Sequence, residues 1–360
     1  MEARLEMSFV SIFRRIAFAY FDYRCKDTDI AKSEFVVIHI PDQIGDAMAV
    51  YPIIRSLELH KIKHLLIVTS TMNKSVFEAL HLEQTKLTLV TMTMQDHASY
   101  KEIKKLTKNI KEQYGTPDLC IEAMRKKNLK TMLFINQLRA STNLQVVGLT
   151  MKCYSPICKL ASKMDQSLRA PVPLTWAFMM REVGFPSTPP LFELPLSEIV
   201  INEVRYEMHS LGSYIALNLE GSVQERTFSL AMAQKIIEAI KKHSDMPIVI
   251  VHGPKGSETA VGLTRHFDNV YHLSLSPSIM RSAAIIRDAF LAITPDTSIL
   301  HMASAYNVPV IAVYADYKTR WPAMADISET IVVGKAIDHL NLDEFSNTLK
   351  RIIAKISITA

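Results

Sequence analysis

Four short polar segments of this 360-residue chain each combine a turn-forming residue with side chains that can handle protons or phosphates. The first, Ile40-Pro41-Asp42-Gln43-Ile44-Gly45-Asp46, follows the apolar run FVVIHI. Gly45 permits a tight turn, which puts Asp46 in the first turn of a following helix. A carboxylate there either favours the helix dipole or takes a proton from a hydroxyl. The second runs from Glu220 to Ser229 and carries Gly221, Ser222 and Arg226 ahead of a helix. It suits a diphosphate, although Ser229 as an N-cap and Arg226 as a solvated side chain explain it equally well. The third, His252 to Glu258, is a polar turn of common composition. The fourth, Thr294 to Ala303, sets Asp296, Thr297 and Ser298 at the start of a helix, a ready anion site, with His301 one turn on. A lone histidine in a helix is more often a satisfied core or surface residue than a ligand.

These segments need strands and helices to position them. β-Branched and apolar runs predict strands at Phe35 to Ile40, His64 to Thr69, 87–90, 119–122 and 145–148, with helices from Gly45 to Leu59 and near 100–113 and 126–139. A proline-marked stretch from Pro186 to Pro195 interrupts the pattern. After a helix from Ser197 to Ser210 the alternation restarts, with strands at 214–219, 247–252, 289–294 and 309–313. Helices are expected at 229–243 and from about Thr297. Strand–helix alternation of this kind predicts two doubly wound, Rossmann-like α/β domains with parallel sheets. The expected division is an N-terminal amphipathic helical extension over 1–33, a first domain over 34–185, a linker and connecting helix over 186–210, a second domain over 211–340 and a C-terminal helix over 341–360. Ligands of such sheets bind at the carboxyl ends of the strands, and the cleft between two of them is the default site.

Composition removes several alternatives. Hydrophobic residues at 48% and charged residues at 21% predict a filled core rather than disorder. No apolar run reaches the ~18 to 20 residues of a membrane span, and Arg14 and Arg15 break the N-terminal stretch that a secretory signal would need. The segment Ser8 to Arg24 reads as an amphipathic helix, which either packs on the domain behind it or lies in a membrane interface. Cys25, Cys120, Cys153 and Cys158 match no zinc spacing and are expected as reduced thiols of a cytoplasmic protein. A net charge of +5 is too small to argue for nucleic acid. The fingerprints of dinucleotide binding, P-loop hydrolysis and serine hydrolysis are all missing.

Taken together, the segments resemble glycosyltransferase family nine, the ADP-heptose–lipopolysaccharide heptosyltransferases. The resemblance rests on FVVIHI followed by PDQIGDAMAVYPIIRSL, on LNLEGSVQERTFSLAMAQ, on PDTSILHMASAYNVPVIAVY and on Arg320-Trp321-Pro322, in that order over 35–322. DLCIEAMRKKNLKTMLFINQLRA also looks like the family's acceptor-domain strand and helix. The resemblance implies a GT-B fold: an acceptor domain and a nucleotide-sugar domain facing a central cleft. It also implies inverting transfer without a metal or other cofactor. It makes Asp46 the catalytic base and Arg226 the match to the family's lysine. Ser222, Glu258, Asp296, Thr297, Ser298 and His301 fall to the nucleotide sugar, and Gln43, Lys126 and Lys127 to the acceptor. Ser298 stands where the family usually has glycine, and the acidic residue expected near the ribose does not align cleanly, with Lys255 and Gly256 in that turn and Glu258 beyond it. The expected partners are ADP-heptose and the lipopolysaccharide core, for a cytoplasmic protein or one seated peripherally on the cytoplasmic face of the inner membrane. Two alternatives remain: transfer of another sugar, such as an N-acetylhexosamine from a UDP donor, and a non-catalytic paralogue that binds nucleotide sugar or oligosaccharide.

Overall fold

The computed structural model describes residues 16–26, 29–93, 95–125, 129–147, 151–167, 170–316 and 321–359. Contacts divide the chain into two compact units, 1–190 and 191–360.

In the first unit, five parallel strands stand in the order β3-β2-β1-β4-β5. They are β1 (Phe35–Ile40), β2 (His64–Ser70), β3 (Lys86–Met92), β4 (Leu119–Glu122) and β5 (Thr142–Leu144). Every residue of β1 is buried, as expected of a β-branched run covered on both faces of a parallel sheet. Val36 pairs with Leu65 on one side and Leu119 on the other. The helix expected from Gly45 to Leu59 is in fact two, α1 (Ile44–Met48) and α2 (Tyr51–Leu59). Pro52 falls in the first turn of α2, where its missing N–H costs nothing, so the chain restarts there instead of running through. The strand expected over 145–148 lies instead at Thr142–Leu144. The Gln145 amide donates to Cys158 Sγ and its side chain accepts from Val147 N–H, so local bonds take this backbone out of the ladder. Helices α3 (Tyr100–Tyr114) and α4 (Leu129–Leu138) complete the part of the unit used below.

Of the N-terminal extension, residues 16–21 are helical and 1–15 lie outside the described residues. Its end is tied to the first unit: the Asp22 carboxylate accepts from the Lys152 and Cys153 amides, and Asn136 donates to Phe21 O at 2.8 Å. Burial keeps the neighbouring Cys158 thiol protonated, its pKa pushed up to about 12.

The second unit has six parallel strands in the order β11-β10-β9-β6-β7-β8. They are β6 (Ile215–Asn218), β7 (Ile248–Val251), β8 (Val270–His272), β9 (Leu291–Pro295), β10 (Val310–Tyr314) and β11 (Ser328–Val332). The two edge strands, β8 and β11, were not foreseen from the sequence. The helices are α5 (Glu198–Met208), α6 (Leu230–Lys241), α7 (Ser257–His266), α8 (Ile279–Arg287), α9 (Ser298–Ala305) and α10 (Leu342–Thr359). Leu217, Ile250, Ile293 and Val313 of the strands pack with Ile236 and Ile240 of α6 and Phe345 and Leu349 of α10. α5 is fastened within this unit, Arg205 bonding Asp288 at 2.8 Å and Glu203 bonding Arg281 at 3.0 Å. Hydroxyl caps start four of these helices: Ser197, Ser229, Ser278 and Thr297 each accept from an amide of the first turn.

Both sheets grow outward in one direction and then return to the centre, between β1 and β4 in the first unit and between β6 and β9 in the second. Chain connections diverge at such switch points and leave room at the strands' carboxyl ends, where open α/β sheets bind ligands.

Candidate active site

In the first unit the switch point carries the turn that leads from β1 to Asp46. Asn73, fully buried, clamps this turn: its Nδ2 donates to Asp42 O at 2.7 Å and to Gln43 O at 3.3 Å. Gln43 is the exposed residue before α1, and Asp46 is half-buried in the first turn, where the helix dipole favours a carboxylate. Lys126 and Lys127 lie outside the described residues.

Beneath this turn is a polar pair that sequence reasoning missed. His39 of β1 stands in register with Glu122 of β4, and its Nδ1 meets Glu122 Oε2 at 2.7 Å with both side chains buried. Glu122 Oε1 accepts from the Met124 amide at 2.9 Å, and the His39 ring stacks on Phe134 of α4 with centroids 3.8 Å apart. Burial pushes the imidazole down to about 3 and the Glu122 carboxyl well up, with the Asp42 charge adding to the latter. Both shifts favour the uncharged forms, so the contact is a neutral hydrogen bond, Glu122 O–H donating to Nδ1, rather than an ion pair. The available signal was a titratable residue inside each of two otherwise apolar strands.

In the second unit the switch point is organised by Asn218, the buried last residue of β6. Its Nδ2 hydrogens are shared among Glu220 O, Thr294 Oγ1 and Thr297 Oγ1 at 3.0–3.1 Å, and its Oδ1 accepts from the Glu220 amide. Thr297 is thereby occupied structurally, since its hydroxyl also caps Ile299 N–H of α9. The loop after β6 folds back on itself: a Cβ at Gly221 would come within 2.4 Å of Arg226 O, so only glycine fits. That return delivers Arg226 to the end of β9, where Nη1 lies 3.3 Å from both Asp296 Oδ2 and Asp296 O. The Arg226 side chain is 43% exposed and that of Asp296 only 12%, so the cation can meet a ligand while the carboxylate mainly holds it. Burial raises the Asp296 pKa and Arg226 offsets part of the rise.

Of the other expected residues, Ser298 is half-buried as the first residue of α9, Ser222 is exposed at the loop tip, and Glu258 is exposed in the first turn of α7. His301 is buried between aromatic rings, 4.5 Å from Phe192 and 5.1 Å from Trp321. Burial pushes its imidazole down to about 3, so it is neutral at physiological pH. The second unit therefore gathers Arg226, Asp296 and Thr297 around Asn218. Among the described residues, no three His, Cys, Asp or Glu side chains are grouped as a metal would need, and no helix is long and apolar enough to cross a membrane.

The model of glycosyltransferase family 9 (heptosyltransferase) matches residues 182–344, a span that includes this whole second switch point. The uncharacterized protein YeeL of Escherichia coli (strain K12) is 73% identical over 234 residues, 65% of this chain and all of YeeL. The chain belongs to glycosyltransferase family 9. Solved members of the same fold align over nearly the whole length. A family 9 glycosyltransferase of Veillonella parvula is 12% identical, with 93% of this chain and 99% of that one covered at a TM-score of 0.72. E. coli heptosyltransferase WaaC with ADP is 14% identical, with 88% and 99% covered at 0.64. E. coli ADP-heptose LPS heptosyltransferase II is 13% identical, with 89% and 99% covered at 0.65. These likenesses show the GT-B fold of two parallel-sheet domains.

Proposed function

We propose that this family 9 protein transfers heptose from ADP-heptose to the core of lipopolysaccharide, on the cytoplasmic side of the inner membrane, by an inverting displacement. The observation that carries the reading is the Arg226–Asp296 pair at the start of α9. A guanidinium beside a helix N-terminus is suited to a diphosphate leaving group, whose charge grows as the glycosidic bond breaks. The family match and the fold shared with a transferase solved with ADP support the donor.

In this mechanism Asp46 accepts the proton of the acceptor hydroxyl as its oxygen attacks the anomeric carbon. The nucleoside diphosphate departs from the opposite face of the sugar, through a transition state with oxocarbenium character. Arg226 and the first-turn amides of α9 take up the developing charge of the leaving group. The turn that carries Asp46 is kept in place by Asn73.

The test is a transfer assay with ADP-heptose and with a UDP-N-acetylhexosamine, on core acceptors that lack successive sugars, with and without EDTA. Product from ADP-heptose, of inverted anomeric configuration and unaffected by EDTA, is the expected result. Product from the UDP donor alone moves the donor. No product from either, with nucleotide still bound, points to a binding paralogue and refutes the enzyme reading.

A further inference from the structure

The end of the N-terminal extension is fastened on one side and open on the other. Over the helical residues 16–21, Phe18 and Phe21 are half-buried, and Phe21 O accepts from Asn136 Nδ2. Just beyond, the Asp22 carboxylate accepts the Lys152 and Cys153 amides. Ile16 and Tyr20, one helical turn apart, lie away from these contacts and are 62% and 81% exposed.

The segments that meet at this root carry one sign of charge. Cys25 N–H donates to Lys152 O at 3.1 Å, and the Tyr23 hydroxyl accepts from Asn143 Nδ2 at 2.9 Å, so residues 22–25 lie beside 152–153 and the edge strand β5. The chain then enters the helix Cys158–Ser167. Within 16–26 and 151–163 the cations are Arg24, Lys26, Lys152, Lys159 and Lys163, all exposed. The one carboxylate there is Asp22, whose oxygens already accept two amides. Leu160, between two of the lysines, is exposed as well. Ahead of Ile16 the sequence keeps this composition, with Phe9, Ile12, Phe13, Arg14 and Arg15. Exposed aliphatic and aromatic side chains accompanied by cations match the boundary of an anionic bilayer. Tyrosine rings settle at headgroup depth there, and each Lys or Arg gains about fivefold in partitioning. A second copy of the chain fits less well, because a two-fold contact would set these cations against themselves.

We propose that this face of the first unit, apolar at Ile16 and Tyr20 and basic around Lys152, docks peripherally on a bilayer that contains anionic lipid. In part this rests on the function proposed above, whose acceptor is borne by a lipid, but the contact itself needs neither donor nor acceptor. The sequence left open whether this helix packs on its domain or lies in a membrane interface. It packs through Phe21 and Asp22, and its other side is left for the interface. Because the root is held by Asn136 and by the 152–153 amides, docking carries the first unit to the lipid surface as a body.

Flotation of the full chain with vesicles of phosphatidylethanolamine and phosphatidylglycerol, and with vesicles of phosphatidylcholine alone, tests this without substrate. The chain should float with the anionic vesicles and bind the neutral ones at least about tenfold more weakly, losing most of its affinity between about 0.1 and about 0.5 M salt. Ile16→Ser with Tyr20→Ser should weaken binding about tenfold or more, and so should Lys152→Gln with Lys159→Gln and Lys163→Gln. All of these side chains are exposed, so both variants should keep the wild-type melting temperature. Both should also transfer to a delipidated core oligosaccharide at the wild-type rate, while transfer to acceptor held in vesicles falls. Absence of flotation, equal binding to both kinds of vesicle, or binding that survives both sets of substitutions overturns the docking face and leaves the transferase reading standing. Self-association that is lost in Ile16→Ser with Tyr20→Ser, without flotation, overturns it in favour of a second copy. Flotation as expected, with no transfer to either acceptor, upholds the docking face and refutes only the function proposed above.

Discussion

Replacing Glu122 by glutamine tests whether the buried pair in the first unit keeps its proton. In the folded protein His39 and Glu122 are both neutral and hold one proton between them, on the 2.7 Å contact. In the unfolded chain the ordinary values are 6.5 and 4.5. Below pH 4.5 the unfolded chain binds two protons at these sites and the folded protein one, so the pair's contribution to stability falls as the solution is acidified. Between 4.5 and 6.5 both states hold one, and the contribution is level. Above 6.5 the unfolded chain holds none, so stability declines by up to about 1.4 kcal/mol per pH unit. If Glu122 stays protonated in the folded protein up to pH 8.5, that amounts to about 3 kcal/mol between 6.5 and 8.5, or about 6–12 °C in melting temperature for a unit of this size. In Glu122→Gln only the His39 contribution remains, which rises to pH 6.5 and is level above it. Glutamine can still donate to Nδ1 and accept from the Met124 amide, so the variant should fold. Scanning calorimetry at pH 5.5, 6.5, 7.5 and 8.5 should show wild type losing about 3 kcal/mol relative to the variant over the upper two units. A constant difference across that range would mean that the pair gives up its proton before neutrality, and would refute the neutral assignment.

Three further outcomes follow from the candidate site. Asp46→Asn should lower the transfer rate on the order of 10²- to 10⁴-fold with unchanged nucleotide affinity, and wild-type turnover in this variant would remove Asp46 as the base. Arg226→Ala should lower kcat about 10²- to 10³-fold, with part of the loss recovered in Arg226→Lys, which keeps the charge but not the planar fork. Equal rates in all three proteins would deny the arginine a role. Gly221→Ala drives a methyl group into the Arg226 backbone, so it should weaken ADP binding in a titration much as Arg226→Ala does, and an unaltered Kd would show that the closed loop does not position the cation.

The central strands were legible because they are continuous apolar runs, and burial on both faces is what such runs mean. The edge strands were not. β8 and β11 each bury one residue, Val270 and Ile331, and so leave no run or alternation to read. Gly221, Arg226 and Asp296 were legible because turn chemistry and helix starts are written in local sequence. Thr297 was legible as a polar group but not in its role, since being a cap of α9 and a partner of Asn218 depends on β6 lying beside β9. The same holds for His39 against Glu122, which matter only because β1 and β4 are paired in that register. What was missed is what long-range strand pairing brings together, and no local window contains it.

The two units solve the same electrostatic problem in different ways, and the difference matches their proposed roles. Each has charged groups at the ends of its central strands, where burial penalises a lone charge. The first unit removes the charge below its turn by letting one proton serve His39 and Glu122, so that Asp46, the proposed base, stands above a neutral pair. The second keeps its charges and pairs them. Arg226 is held by a carboxylate whose own burial disfavours ionisation, as the raised Asp296 pKa records. In the proposed reaction a diphosphate brings more negative charge than Asp296, so it would compete well for Arg226, whose side chain is the more exposed of the pair. On that reading Asp296 is in place to take the cation back once the product has left.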